Sequence, residues 1–262
     1  MYLKKYWELF KTGVKEAVAY RLMTISSFFS TFLYIVLLIS VWTAIAQSAT
    51  LEGGLPRVIS YVVLGQVINS SISTGVEKWF GHKIREGTIV NELKRPVSVI
   101  THAYFHEIGW QATDTLLKGV PLLAIGILFT SMQVPSAANF LGFMASVILG
   151  FHLMLAVAMN TSMLVFWTKI DGGLRFTRSS IVNFLSGVVF PLYLLPDGLQ
   201  EIFYALPFHL IVDGPINVFL MQRNGYAILD LLLQQLLWIG IFSITALLLW
   251  RKAQKKLTVQ GG

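Results

Sequence analysis

"GVPLLAIGILFTSMQVPSAANFLGFMASVILGFHLMLAVAMNTSMLVFWT" (residues 119–168) runs from Lys118 to Lys169 without a single lysine, arginine, aspartate or glutamate. As one helix, fifty residues would reach about 75 Å at 1.5 Å each. A bilayer's hydrocarbon core is about 30 Å thick and is crossed by about 20 residues. The stretch is therefore too apolar for water and too long for one crossing. Pro135, within "SMQVPSAAN", divides it into a span that ends near Thr130 and another at about 137–168.

The same measure applies outward along the chain. Uncharged runs between Arg21 and Glu52 and between Arg57 and Glu77 give spans at about 22–47 and 58–77. The span ending at Thr130 starts at about 103, residues 179–196 make a further one, and "LLLQQLLWIGIFSITALLLW" makes the last at about 229–250. The expectation is an all-α integral membrane protein with six transmembrane helices. Composition agrees, with 55% hydrophobic and 13% charged residues and a mean hydropathy of +0.67. Soluble domains carry about 25% charged residues.

The net charge of +7 invites a nucleic-acid reading, but its distribution excludes one. Seventeen of the twenty lysines and arginines fall before the first span, between spans two and three, between spans four and five, or in the tail. By the positive-inside rule these segments are cytoplasmic, as are both termini. Ala44-Ile45-Ala46 looks like a cleavage site, yet the apolar run is too long for a signal core, and the expectation is a retained span. The chain has no cysteine, which excludes disulfides and thiolate chemistry.

Residues 1–21, "MYLKKYWELFKTGVKEAVAYR", place Leu3, Trp7, Phe10, Val14 and Ala17 at helical spacing, with Lys4, Lys5, Glu8, Lys11 and Lys15 largely opposite. The expectation is an N-terminal interfacial helix lying among membrane lipid headgroups. "HKIREGTIVNELKRPVS" (82–98) concentrates charge in a chain that avoids it. Ile89, Val90 and Leu93 form a stripe beside Glu86, Glu92 and Lys94, which stay in water, until Pro96 stops the helix. Mixed charge beside an apolar stripe reads as a docking surface, a solvated topology loop being the alternative. The apolar segment after the fifth span holds Pro191, Pro196, Pro207 and Pro215 and reads as an outer re-entrant hairpin over 197–215, or as a cap lying flat. Gly142, Ser146 and Gly150 form a ridge of small residues on the fourth span.

Three polar groups lie within spans. Asp114 and Lys118, at i and i+4, either neutralise each other or relay protons, and His152 is either a hydrogen-bonded core residue or a proton carrier. There is no GxxxxGK[ST] phosphate loop, no HExxH and no GxSxG, so the residues assemble no catalytic, metal or cofactor site. The chain is expected not to be an enzyme. A proton-coupled secondary transporter and a membrane scaffold remain as alternative classes.

The full layout resembles the ABC-2-type exporter permeases, most specifically at "IREGTIVNELKRPVS" (84–98) and "FPLYLLPDGLQEIFYALPF" (190–208), which look like a bacterial branch of that family. The resemblance implies a multi-pass protein of the bacterial cytoplasmic membrane, a single permease domain over 1–262. It implies docking on separate ABC ATPase subunits, which bind the ATP and magnesium, and pairing with a second permease copy or a related permease. Residues 82–96 become a cytoplasmic coupling helix with Ile84, Arg85, Glu86, Gly87, Leu93, Arg95 and Pro96 as contacts. The outer prolines become part of an extracellular gate for an apolar or amphiphilic substrate.

Overall fold

In the computed structural model, which describes residues 2–130 and 132–256, helices carry the chain and no strand occurs among the described residues. Helix α1 (Tyr2–Ala19) is followed by α2 (Arg21–Ser48), α3 (Gly54–Ile72), α4 (Val76–Arg85) and α5 (Ile89–Leu93). Then come α6 (Val99–Asp114), α7 (Val120–Phe129), α8 (Ala137–Thr168), α9 (Gly172–Leu185), α10 (Asp197–Ala205), α11 (Asp213–Phe219) and α12 (Tyr226–Gln254). Four helical stretches are long and apolar enough to cross a membrane: Arg21–Ser48, Val99–Phe129, Ala137–Thr168 and Tyr226–Gln254.

The Val99–Phe129 stretch joins α6 to α7 through a π-helical turn over Thr115–Gly119. Pro121 lies just beyond and has no amide hydrogen, while the Val120 amide reaches back to the Thr115 carbonyl. Widening the turn lets the helix pass a residue that interrupts the normal ladder. Serine caps start both α6 and α8. Ser98 Oγ accepts from the Thr101 amide at 3.2 Å, and Ser136 Oγ accepts from the Asn139 amide at 3.2 Å.

α3 holds the centre. It is buried along most of its length, against α2, α7, α8 and α11. Surrounded by protein rather than lipid, it accommodates Gln66, Ser70 and Ser71, each with a hydrogen-bond acceptor. It ends at Ile72, and Ser73–Gly75 separate it from α4, so the expected 58–77 stretch is not one continuous helix. Residues 179–196 are not one helix either. α9 begins at Gly172 and stops at Leu185, after which the chain turns through a short 3-10 segment at Leu192–Leu194.

The proline-rich segment after α9 is a chain of short helices. Pro191 and Pro196 each immediately precede one, Pro207 opens a 3-10 turn, and Pro215 sits in the first turn of α11. All are places where a missing amide hydrogen costs nothing. Residues 209–216 are buried. The ridge on α8 receives them: Gly142 approaches Val218 and Ile228, and Gly150 faces the Ile211 carbonyl. Three amide side chains satisfy the irregular backbone here. Gln235 donates to the Leu210 carbonyl at 2.8 Å, Asn139 to the Val218 carbonyl at 2.8 Å, and Gln66 to the Val188 carbonyl at 3.1 Å.

On α1, Leu9, Gly13 and Ala17 are buried against α6, while Trp7 is 57% exposed; the Leu3 side chain lies outside the described residues. Glycines set the approach of the two helices. A Cβ on Gly13 would lie 2.0 Å from the His106 carbonyl, and one on Gly109 would lie 2.0 Å from the Phe10 carbonyl.

Candidate functional site

α4, α5 and the turns around them carry Lys78, Lys83, Arg85, Glu86, Lys94 and Arg95 at or near the surface. α4 is short, with Glu77 in its first turn and His82, Lys83 and Arg85 in its last, in keeping with the helix dipole. It buries Val76, Glu77, Phe80 and Gly81 against its neighbours. Gly87, at φ +70°, turns the chain into α5. Residues 82–96 are thus the end of α4, a glycine turn and the single-turn α5, rather than one helix. Gly87 interrupts the pattern that the apolar spacing alone implies.

The turn is pinned from inside. Glu92, expected in water, is 3% exposed. Lys83 Nζ donates to its Oε1 at 2.7 Å, His102 Nδ1 lies 2.7 Å from Oε2, and Arg95 Nε lies 3.4 Å from Oε2. Burial pushes the Glu92 carboxyl up, but the Lys83 and His102 contacts outweigh it and hold the group below its ordinary range. Ile89 is buried beside it. Val90, Leu93 (42% exposed), Lys94 and Pro96 are left facing outward. Lys5 of α1 donates to the Pro96 carbonyl and ties the exit of the turn to α1.

Of the residues expected to make contacts, Glu86, Gly87, Leu93, Arg95 and Pro96 are exposed, and Ile84 is partly buried. Glu86 Oε2 lies 2.9 Å from His82 Nδ1. Arg85 pairs with Asp171, in the turn between α8 and α9. Burial raises the Asp171 carboxyl, and Arg85 more than compensates, so it titrates below the usual aspartate range.

A second, fully buried group fixes α4 from below. The Arg178 guanidinium on α9 forms a close two-point ion pair with Glu77, whose side chain is 0% exposed. Arg178 also donates to the Thr74 carbonyl at 3.2 Å, and Thr161 of α8 donates to Glu77 Oε1 at 2.7 Å. Glu107 of α6 accepts from Thr74 Oγ1 at 3.0 Å. α4 is thereby joined to α6, α8 and α9 through charged and hydroxyl groups (see also Phe80 against Phe166 and Trp250).

None of Glu77, Thr161, Arg178 or Asp171 stood out in sequence. The one available signal is that Glu77 and Arg178 border apolar runs, where the membrane makes charge costly. Their partnership, across 101 positions, has no local pattern.

Of the intramembrane polar residues, Asp114 and Lys118 pair with each other and His152 lies apart from them. Asp114 Oδ2 and Lys118 Nζ lie 2.6 Å apart, and Lys118 also donates to Ser27 of α2 at 3.2 Å. His152 Nδ1 bonds to the Ile148 carbonyl of its own helix at 2.8 Å, and its ring packs on Tyr104. Tyr104 lies about 15 Å along α6 from Asp114 at the normal helical rise. A family model described as ABC-2 family transporter protein matches residues 29–261, which include both stretches of resemblance. No curated protein matches the chain.

Proposed function

The chain belongs to the ABC-2 family of transporter proteins, and from that premise we propose that it is the permease subunit of an ATP-driven exporter. It forms the translocation pathway as a dimer, with a second copy or a related permease, and docks on separate ATPase chains that bind ATP and magnesium. Six crossings, the four long apolar stretches plus α3 and the segment that starts with α9, keep both termini on one side, which the lysine and arginine bias makes the cytoplasm. The outer segment over 197–215 is re-entrant and forms part of the gate.

The observation that carries the proposal is the construction of the α4–α5 turn. It presents Val90, Leu93 and Lys94 outward while Glu92 and the Glu77–Arg178 pair, with Thr161, hold its base to α6, α8 and α9. A mobile loop would absorb a push, whereas a turn anchored by buried ion pairs transmits it. ATP-driven closure of the partner ATPases displaces this turn, and α4 carries the movement through Arg178 to α9 and so to the outer segment. Leu93 and Val90 supply contact area, and Arg85, Glu86 and Arg95 set register.

Purification under mild conditions, with identification of the co-purifying chains, tests the reading. A stoichiometric ATPase should accompany the protein and dissociate when Val90 and Leu93 are both changed to serine. Absence of any ATPase from a complex that otherwise stays intact would overturn the assignment.

A further inference from the structure

Beside the α4–α5 turn, the flank of α4 and the start of α9 enclose a cavity of about 150 Å³ lined by Lys78, His82, Arg85, Asp171, Gly172 and Arg175. Its charge is unbalanced. Arg85 is neutralised by Asp171 and His82 lies against Glu86, but Lys78 and Arg175 have no ion-pair partner among the described residues. The wall is built by close approach: a Cβ on Gly81 would lie 2.5 Å from Asp171 Cβ, so α4 and the α8–α9 turn meet only because residue 81 is glycine. Two exposed cations without an ion-pair partner therefore line one small, half-open cavity. Small-molecule pockets usually run to about 300–1,000 Å³, so its size suits a phosphate group.

The rim identifies the source of the phosphate. Ile170, next to Asp171, is 60% exposed, and Phe176, next to Arg175, is 74% exposed. Trp167 at the end of α8 is also exposed. Apolar side chains with a tryptophan beside basic residues match the acyl-to-headgroup boundary of a bilayer. We propose that this cavity holds the headgroup phosphate of an acidic phospholipid, with Lys78 and Arg175 as its ligands. Placing that lipid in the inner leaflet rests on the orientation proposed above.

The test compares wild type with the Lys78→Ala/Arg175→Ala double variant, both reconstituted in phosphatidylcholine nanodiscs with or without phosphatidylglycerol. Native mass spectrometry reads retained lipid. Each cation near an acidic leaflet contributes about fivefold to binding, so the double variant should retain phosphatidylglycerol about thirtyfold less tightly. An Arg251→Ala/Lys252→Ala variant, which removes equal charge from the end of α12, should retain it like wild type. Equal retention in wild type and the double variant overturns the site. Stabilisation of wild type by inorganic phosphate, with no preference for phosphatidylglycerol, overturns the lipid as its source. Loss of a co-purifying ATPase with lipid unchanged assigns the cavity to an acidic side chain of that partner and also overturns the proposal. Lipid loss with the ATPase retained supports it, and the ATPase readout separates its failure from failure of the transporter reading.

Discussion

Glu77 and Arg178 meet beyond one end of α3 as a buried ion pair, whereas the segment from Val188 to Phe219 is held by Gln66, Asn139 and Gln235, which donate amide hydrogens to carbonyls. The two regions do similar work with different chemistry. A neutral hydrogen bond contributes about 0.5–1.5 kcal/mol net and can be exchanged for water. Separating a buried ion pair strands both charges, and removal of one partner costs about 3–5 kcal/mol. The region around α4 is therefore built to move as one body, whereas the proline-rich segment combines amide bonds that can be remade with one buried acid, Asp213, which accepts from Tyr61 Oη at 2.7 Å and from Asn217 Nδ2 at 2.9 Å.

The largest test of this contrast is Arg178→Met, which leaves the Glu77 carboxylate buried without its cation. It should cost about 3–5 kcal/mol and lower the thermal midpoint by about 10 °C, as read by heating followed by size-exclusion chromatography. Adding Glu77→Gln should recover part of the loss. If Arg178→Met is as stable as wild type, the pair is not what locks α4. Next comes Glu92→Gln, which weakens the contacts from Lys83 and His102 at a cost of about 1–2 kcal/mol at neutral pH.

The pH dependence has a definite sign. The folded Glu92 carboxyl lies below its ordinary value of 4.5, so its contribution is complete above that pH and is lost as pH falls through the folded value. Glu92→Gln should accordingly flatten the acid limb of the stability profile, and an unchanged limb would remove Glu92 from the anchor. In the outer region, Gln235→Leu should cost only about 1 kcal/mol, measured in the same assay, because what it removes is neutral. The smallest effect belongs to Leu93→Ser, within about 0.5 kcal/mol of wild-type stability but with ATP hydrolysis by the assembled complex uncoupled from transport. A large stability loss there would mean that the turn packs against its own chain.

Sequence alone marked the four long apolar stretches well because lipid selects against charge residue by residue, and every gap between charges can be counted. The same criterion set the bounds of α3 and α9 less well, since α3 ends at Ile72 and α9 runs from Gly172 to Leu185. α3 is wrapped in protein and freed from that selection, and α9 carries Arg178 into the interior alongside a partner that local pattern does not reveal. Periodicity placed Trp7 on the apolar, lipid-facing side of α1, while the contact with α6 is set by Gly13 and Gly109, each lying against the opposite helix's backbone, which apolar spacing does not show. At the candidate site the charged character of 82–98 was legible. Which charge faced inward was not, since Glu92 is buried only because Lys83 and His102 converge on it in three dimensions.

The Gly13–Gly109 crossing has a consequence in time. During synthesis α1 emerges before α6, and its partner surface follows about ninety residues later. At about 5–20 residues per second, the glycine face of α1 waits about 5–20 seconds for its mate. Until then the helix has only the lipid surface to cover it. A cysteine pair engineered across the crossing, in a chain that has none of its own, should form its crosslink only in nascent chains that extend well past α6.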